Sequence, residues 1–496
     1  MKEILKISAV TIAVAGIIGL AGCGSGSGRG GGGGGDGGGA ASSGLTTTGI
    51  VSGFGSVYVN GVEYETDSST FSLDDGDDGP ENEGELGIGM VVTLTGTVNP
   101  DGVTGTASHI EYDDELEGIV ISENIDDVTG TGTMDVMGQI VTVDEATIFE
   151  SDVLGVTNMW DITADMVVEV SGFPTGDGTI FATRVEVERA THAGEEIEVK
   201  GIIKNLNLGT STFTIGGLTV DFSAALLPDG ELVEDLYFEV KSTEGFNASD
   251  QLIASVVELE GDGDVDHDGD EGDEFEDYGI VTSVEGMPTE FEINGGLRVL
   301  LSEGTSFEHG SIEDIVVDER LEVEGSLDAE GALLASEIEF EEESNIEMEG
   351  TLEAVSGEGS IGTITLFGQI LMVTPDTVRI DEQDEDVDPL QYFNLESLNA
   401  GSDYVEVDAH RDPDTGKLIA DKIERDDAPD AGDSSPDELE GPVEDNSTAG
   451  ELTIAGVRVD VSGLEVPSLS IGDEIEVEGS YIGGGIFDAD SIETDD

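Results

Sequence analysis

The chain has 496 residues, of which 113 are Asp or Glu and only 16 are Lys or Arg, for a formal net charge of −97. Such a surface repels phosphate backbones and anionic headgroups, which excludes nucleic acid as a partner and makes cations the natural counter-species. The length calls for more than one domain, and like charge this dense favours an extended array over a single ball.

Residues 1–22 read as an export signal. Lys2 and Lys6 give a positive start, and Ile7 to Leu20 is an apolar run too short to span a bilayer comfortably. The run ends Leu20-Ala21-Gly22-Cys23, and Cys23 is the one cysteine of the chain. This resembles a bacterial lipoprotein signal peptide with its lipobox. The resemblance implies cleavage before Cys23, a diacylglyceryl thioether on its sulfur and acylation of the new amine. Multiple acyl chains anchor firmly where a single one is marginal. By the same resemblance, Gly24 rather than Asp after the cysteine implies the outer membrane, on its periplasmic or surface face. With Cys23 lipidated, no thiol remains for a disulfide or a metal thiolate. Residues 23–46 follow as a tether. Twelve of residues 24–39 are Gly, a composition that buries no core and behaves as flexible coil.

Beyond the tether Val, Ile, Thr, Gly and Asp dominate and apolar residues alternate over short runs, so the chain reads as all-β. Six tandem modules are expected at 47–114, 115–190, 197–260, 278–342, 346–426 and 438–494, with acidic linkers at 261–277 and 427–437. Each opens on a glycine and an apolar strand, at Gly49, Gly118, Gly201, Gly279, Gly350 and Gly441. Intervals of 69, 83, 78, 71 and 91 residues are too long for an ordinary solenoid and indicate small domains in a row. A tight hairpin comes next, as in VYVNGVEY (57–64) and FEINGGLRV (291–299). Asn60-Gly61 and Asn294-Gly295 suit a type I′ turn, which needs φ > 0 at both positions.

Each module closes on an alternating strand, a polar turn and a strand carrying Ala-x-x-[Ile/Val]. The pairs are Ala107/Ile110, Ala182/Val185, Ala254/Val257, Ala335/Ile338, Ala420/Ile423 and Ala489/Ile492. An offset of three breaks the two-residue period, so a bulge or bend separates the pair if both face the core. Five strands with a long connection after the third resemble an OB-like small barrel. The repeat also resembles a family of bacterial envelope domains of unknown function. That family's pattern is Gly-x-Val, a Val-x-Gly hairpin, Gly-x-x-Val-x-Val-x-Gly and Ala-x-x-Ile, and it covers most of residues 48–494. The resemblance implies an exported, often lipid-anchored β domain and carries no known activity.

The sharpest polar stretch is GDGDVDHDGDEGDEFED (261–277). Asp264, Asp266, Asp268, Asp270 and Glu274 are candidate Ca²⁺ ligands, because alternate oxygen ligands and a Gly for the sharp turn are what a calcium loop needs. Phe275 stands where an EF-hand loop has its twelfth-position Glu, which leaves two readings: a looser Ca²⁺ loop, or a solvated acidic spacer. His109, His192, His267, His309 and His410 are scattered without metal-ligand spacing, and no Gly-x-Ser-x-Gly elbow or P-loop occurs. The expectation is a non-enzymatic, lipid-anchored envelope protein, a structural or adhesive array in which Ca²⁺ is the one candidate cofactor. The alternative is a carbohydrate- or protein-binding envelope lipoprotein that uses the module loops.

Overall fold

The computed structural model describes residues 44–73, 82–126, 130–144, 146–175, 178–228, 232–261, 274–329, 331–342, 344–381, 391–413, 415–426 and 437–494. Every regular element among them is a β-strand apart from three single-turn 3₁₀ helices.

Barrel 1 shows the plan. Its first ring strand, Gly44–Gly53, pairs antiparallel with the second, Val57–Val59, and with the fourth, Val91–Val98. The second pairs with the third, Val62–Glu65, and the third runs parallel to the start of the fifth, Thr104–Tyr112. The fifth closes the ring against the fourth. The order 1-2-3-5-4-1 is that of an OB barrel. An additional strand, Thr70–Leu73, lies in the connection after the third and runs parallel to the other half of the fifth. The same ring recurs five more times, with first strands Leu116–Ile125, Ile197–Asn207, Glu274–Ser283, Ile346–Thr351 and Asp437–Asp445; in barrel 5 the first strand is split, and its second piece, Ala354–Glu358, makes the pairing with the second ring strand. In barrel 3 the fifth strand is split into Leu252–Ile253 and Val256–Gly261.

The offset Ala-x-x-[Ile/Val] is a bulge. The register jumps between Thr95 and Gly96, Ser171 and Gly172, Glu324 and Gly325, and Asp408 and Ala409, which leaves Ser108, Thr183, Ser336 and Asp421 as the extra residues. Both members of each pair thereby reach the core. A Cβ on Gly172 or Gly325 would collide with the carbonyl of Phe181 or Leu334 across the bulge. The hairpin tips also follow the sequence. Asn60-Gly61 has φ 45° and 69°, and Asn294-Gly295 has 51° and 73°. Their side chains fold back to donate to the carbonyls of Thr48 (3.1 Å) and Tyr278 (3.3 Å), over Gly49 and Gly279, where no Cβ would fit.

First strands also pair between barrels, which gives three sheets of two barrels each. Barrels 2 and 3, and barrels 5 and 6, join antiparallel with core residue opposite core residue, Leu116 with Val199 and Met348 with Leu439. One apolar cluster therefore runs through each of these pairs. Barrels 1 and 4 join parallel, Leu45–Thr48 along Glu274–Asp277. Here Thr47, buried in barrel 1, stands beside Glu276 on the outside of barrel 4. Pairing of opposite face parity keeps the two cores separate.

The modules do not form the extended row that the charge suggested. Barrel 1 meets barrel 2 where Tyr112 donates to Glu169 (2.6 Å) and Arg184 to the Ile88 carbonyl (3.2 Å). It meets barrel 5 where Tyr58 stacks on Tyr392 at 6.2 Å. Ile88, Ile148 and Ile380, one from each of these three barrels, form an apolar knot. Barrel 4 reaches barrel 2 through the Arg320–Asp144 ion pair and the Tyr278–Phe173 rings, 5.4 Å apart. Burial of apolar side chains and cations placed at the contacts overcome the overall repulsion at these points.

Candidate functional site

The chemistry of this chain lies on one outward face of each barrel. The third and first residues before the shared glycine point outward from ring strand 1, opposite two outward residues of ring strand 4. In barrel 1 all four are threonines, with Thr46 opposite Thr95 and Thr48 opposite Thr93. In barrel 3 they are Glu198 opposite Lys241 and Lys200 opposite Glu239. In barrel 4 they are Glu276 opposite Glu324 and Tyr278 opposite Glu322. In barrel 5 they are Glu347 opposite Asp408 and Glu349 opposite Glu406, and in barrel 6 Glu438 opposite Glu478 and Glu440 opposite Glu476. Ring strand 5 widens the face with the residue after the Ala-x-x-[Ile/Val] pair, which is glutamate in every barrel: Glu111, Glu186, Glu258, Glu339, Glu424 and Glu493. Each pairs with a face residue of ring strand 4.

Because cores face cores at the 5·6 junction, the two outer faces merge. Glu347 lies opposite Glu440, and Glu349 opposite Glu438. Burial, followed by repulsion from Glu406 and Asp408, pushes the Glu347 carboxyl up to about 9. Burial and Glu424 push Glu406 to about 8, and burial and Glu476 push Glu438 to about 7. Like charges directly opposite one another destabilise a sheet, so this face gains from protons or cations. Lys422 answers part of it, 3.3 Å from Asp408 and 3.4 Å from Glu424. At the 2·3 junction the cations are built in. Lys200 stands 3.3 Å from Glu198 and 3.7 Å from Asp114, and Lys241 3.1 Å from Glu239.

Among the described residues, sets of three carboxylates with ligand oxygens within 4.8 Å of one another occur at Asp113/Asp114/Glu198, Asp152/Glu186/Glu188, Glu276/Glu322/Glu324, Glu347/Glu406/Asp408 and Glu438/Glu440/Glu476. Oxygen-only sets of this kind suit hard divalent cations. Of the ligands expected from sequence, Asp264, Asp266, Asp268 and Asp270 lie outside the described residues, as does Cys23. Glu274 is exposed at the start of barrel 4, two residues before Glu276 on the same strand. The sequence reading passed over the outer face, although its signal was present as acids at fixed offsets from the repeated glycine and from Ala-x-x-[Ile/Val].

No curated protein matches the chain. The family described as Domain of unknown function (DUF5666) matches residues 46–111, 118–186, 278–339, 349–424 and 440–493. These stretches are barrels 1, 2, 4, 5 and 6; barrel 3 has the same ring and lies outside them. With more than half of its length matched, the chain belongs to the DUF5666 family, as a tandem of β-barrel domains of unknown function.

Proposed function

We propose that this is a non-enzymatic, lipid-anchored protein of the bacterial cell envelope, a structural or adhesive block of acidic barrels that cations stabilise. The observation that carries the reading is the repeated outer carboxylate face. It spreads over the ring strands of successive barrels instead of converging on one pocket, as suits a surface that meets ions or a polymer. The lipobox-like Leu20-Ala21-Gly22-Cys23 supports the membrane link, and the glycine run after it supports a spacer between membrane and barrels.

The test is expression of the full chain in a Gram-negative host fed labelled palmitate. Label on the protein and sedimentation with outer membranes are expected, and both should disappear in Cys23→Ala. An unlabelled, soluble parent would overturn the anchored reading. Retention on a polysaccharide column that EDTA does not alter would favour the loop-binding alternative over cation-stabilised structure.

A further inference from the structure

We propose that Glu276, Glu322 and Glu324 hold a divalent cation at the junction of barrels 1 and 4. The inference deepens the reading of the outer face as cation-stabilised and assigns the ion to one place. Glu276 and Glu324 are direct cross-strand partners, Glu322 lies two residues along the same face, and the three offer oxygens within 4.8 Å of one another. The charged groups acting on Glu276 and Glu322 are themselves acids: Glu324 and Asp277 on the first, Glu339 and Asp376 on the second. The Thr47 hydroxyl donates to Glu276 Oε1 (3.1 Å), and Asn60 donates in turn to Thr47 (3.1 Å). This second layer orients one ligand, as supporting hydrogen bonds do around metal sites.

An independent observation points to the same spot. Tyr64 of barrel 1 is fully buried, and its hydroxyl has no hydrogen-bond partner. The parallel register turns the interior side of barrel 1 toward the outside of barrel 4, and Glu276 and Glu322 are the charges that act on this phenol. A buried polar group left unpaired is destabilising, and a hard cation among these carboxylates gives its oxygen a partner. The other junctions explain why this one needs an ion from outside. In barrel 3 the face positions include Lys200 and Lys241, whereas in barrel 4 their counterparts are Tyr278 and Glu324. The parallel contact is also short, four residues on each strand. A cation on the barrel 4 face beside it would steady the pairing of two barrels far apart in the chain.

The experiment uses the full chain in detergent, titrated with Tb³⁺ under tyrosine excitation and then with Ca²⁺ as competitor, with Ca²⁺ binding read in parallel by calorimetry. The parent should give saturable emission that Ca²⁺ displaces. In Glu276→Gln/Glu322→Gln, Ca²⁺ affinity at the tightest site should fall at least tenfold. Tyr64→Phe should keep the calorimetric site and lose part of the emission that the double variant loses, the rest coming from Tyr278 opposite Glu322. An Asp264/Asp266/Asp268→Asn variant should titrate like the parent. Parent-like titration of the double variant, or loss of the site in the Asp variant instead, would overturn the proposal. Glu324→Gln changes an exposed ligand, so a folding failure of the double variant does not stand in the way: it should weaken Ca²⁺ binding, and parent-like binding there overturns the proposal equally. Palmitate labelling stays intact in all these variants, so failure of the ion site and failure of the anchored reading are distinguishable.

Discussion

Arg184 shows how few cations this chain needs and how much each one does. It is 3% exposed, pairs with Glu150 and Glu186 of its own barrel and donates to the Ile88 carbonyl of barrel 1. Replacing one member of a buried pair strands the other, so Arg184→Met should destabilise the protein by about 3–5 kcal/mol in denaturant unfolding. Adding Glu150→Gln should recover part of that loss, and strictly additive effects would show that the two do not act as a pair. Nothing in the local sequence TRVEV distinguishes this arginine from a surface one: Glu186 is an ordinary neighbour two residues on, and the partners that bury it, Glu150 and the Ile88 carbonyl, come from remote parts of the chain. Asn60 and Asn294 were legible, since the turn chemistry of Asn-Gly is local.

At the level of the strand, the bulge was legible for the same reason: an offset of three inside an alternating run has few geometric solutions. The glycine opposite it was not explained by sequence, and the structure supplies the reason in the facing carbonyl. Gly325→Val should lower stability by about 1–3 kcal/mol through overpacking against Leu334, while Gly325→Ala should cost less, because barrel 5 carries Ala409 at the equivalent bulge. Parent-like melting of both variants would mean that the contact with the carbonyl is not what selects glycine there. The additional strand after ring strand 3 escaped the sequence reading. In barrel 1 it is Thr70–Leu73, of which only Leu73 is buried, so it lacks the apolar alternation that announces a strand. First-strand pairing between barrels escaped too, because register between remote segments leaves no local pattern.

At the scale of the molecule, net charge suggested the wrong shape. It summed the acids without placing them, whereas the fold puts them on outer faces and puts apolar side chains and cations at the contacts between barrels. The face still leaves a thermodynamic signature. Glu347, Glu406 and Glu438 rise from an ordinary value of 4.5 to about 9, 8 and 7, chiefly through burial and then through acid neighbours. A raised carboxyl means that the folded state binds more protons than the unfolded chain between pH 4.5 and about 9. Stability must therefore rise as pH falls through that window, opposite to the usual behaviour of paired carboxylates, with a limiting slope of about 1.4 kcal/mol per pH unit for each such group. The denaturation midpoint should climb from pH 9 to pH 5.5, and Glu347→Gln should raise the midpoint at pH 9 and flatten the climb. Below about pH 4.5 the unfolded chain takes up the same protons, so the climb should level off there. Divalent cations should mimic acidification at pH 9, since they neutralise the same oxygens. A midpoint that falls between pH 9 and 5.5, or that ignores Glu347→Gln, would mean that the merged face of barrels 5 and 6 is solvated well enough to hold its charges apart.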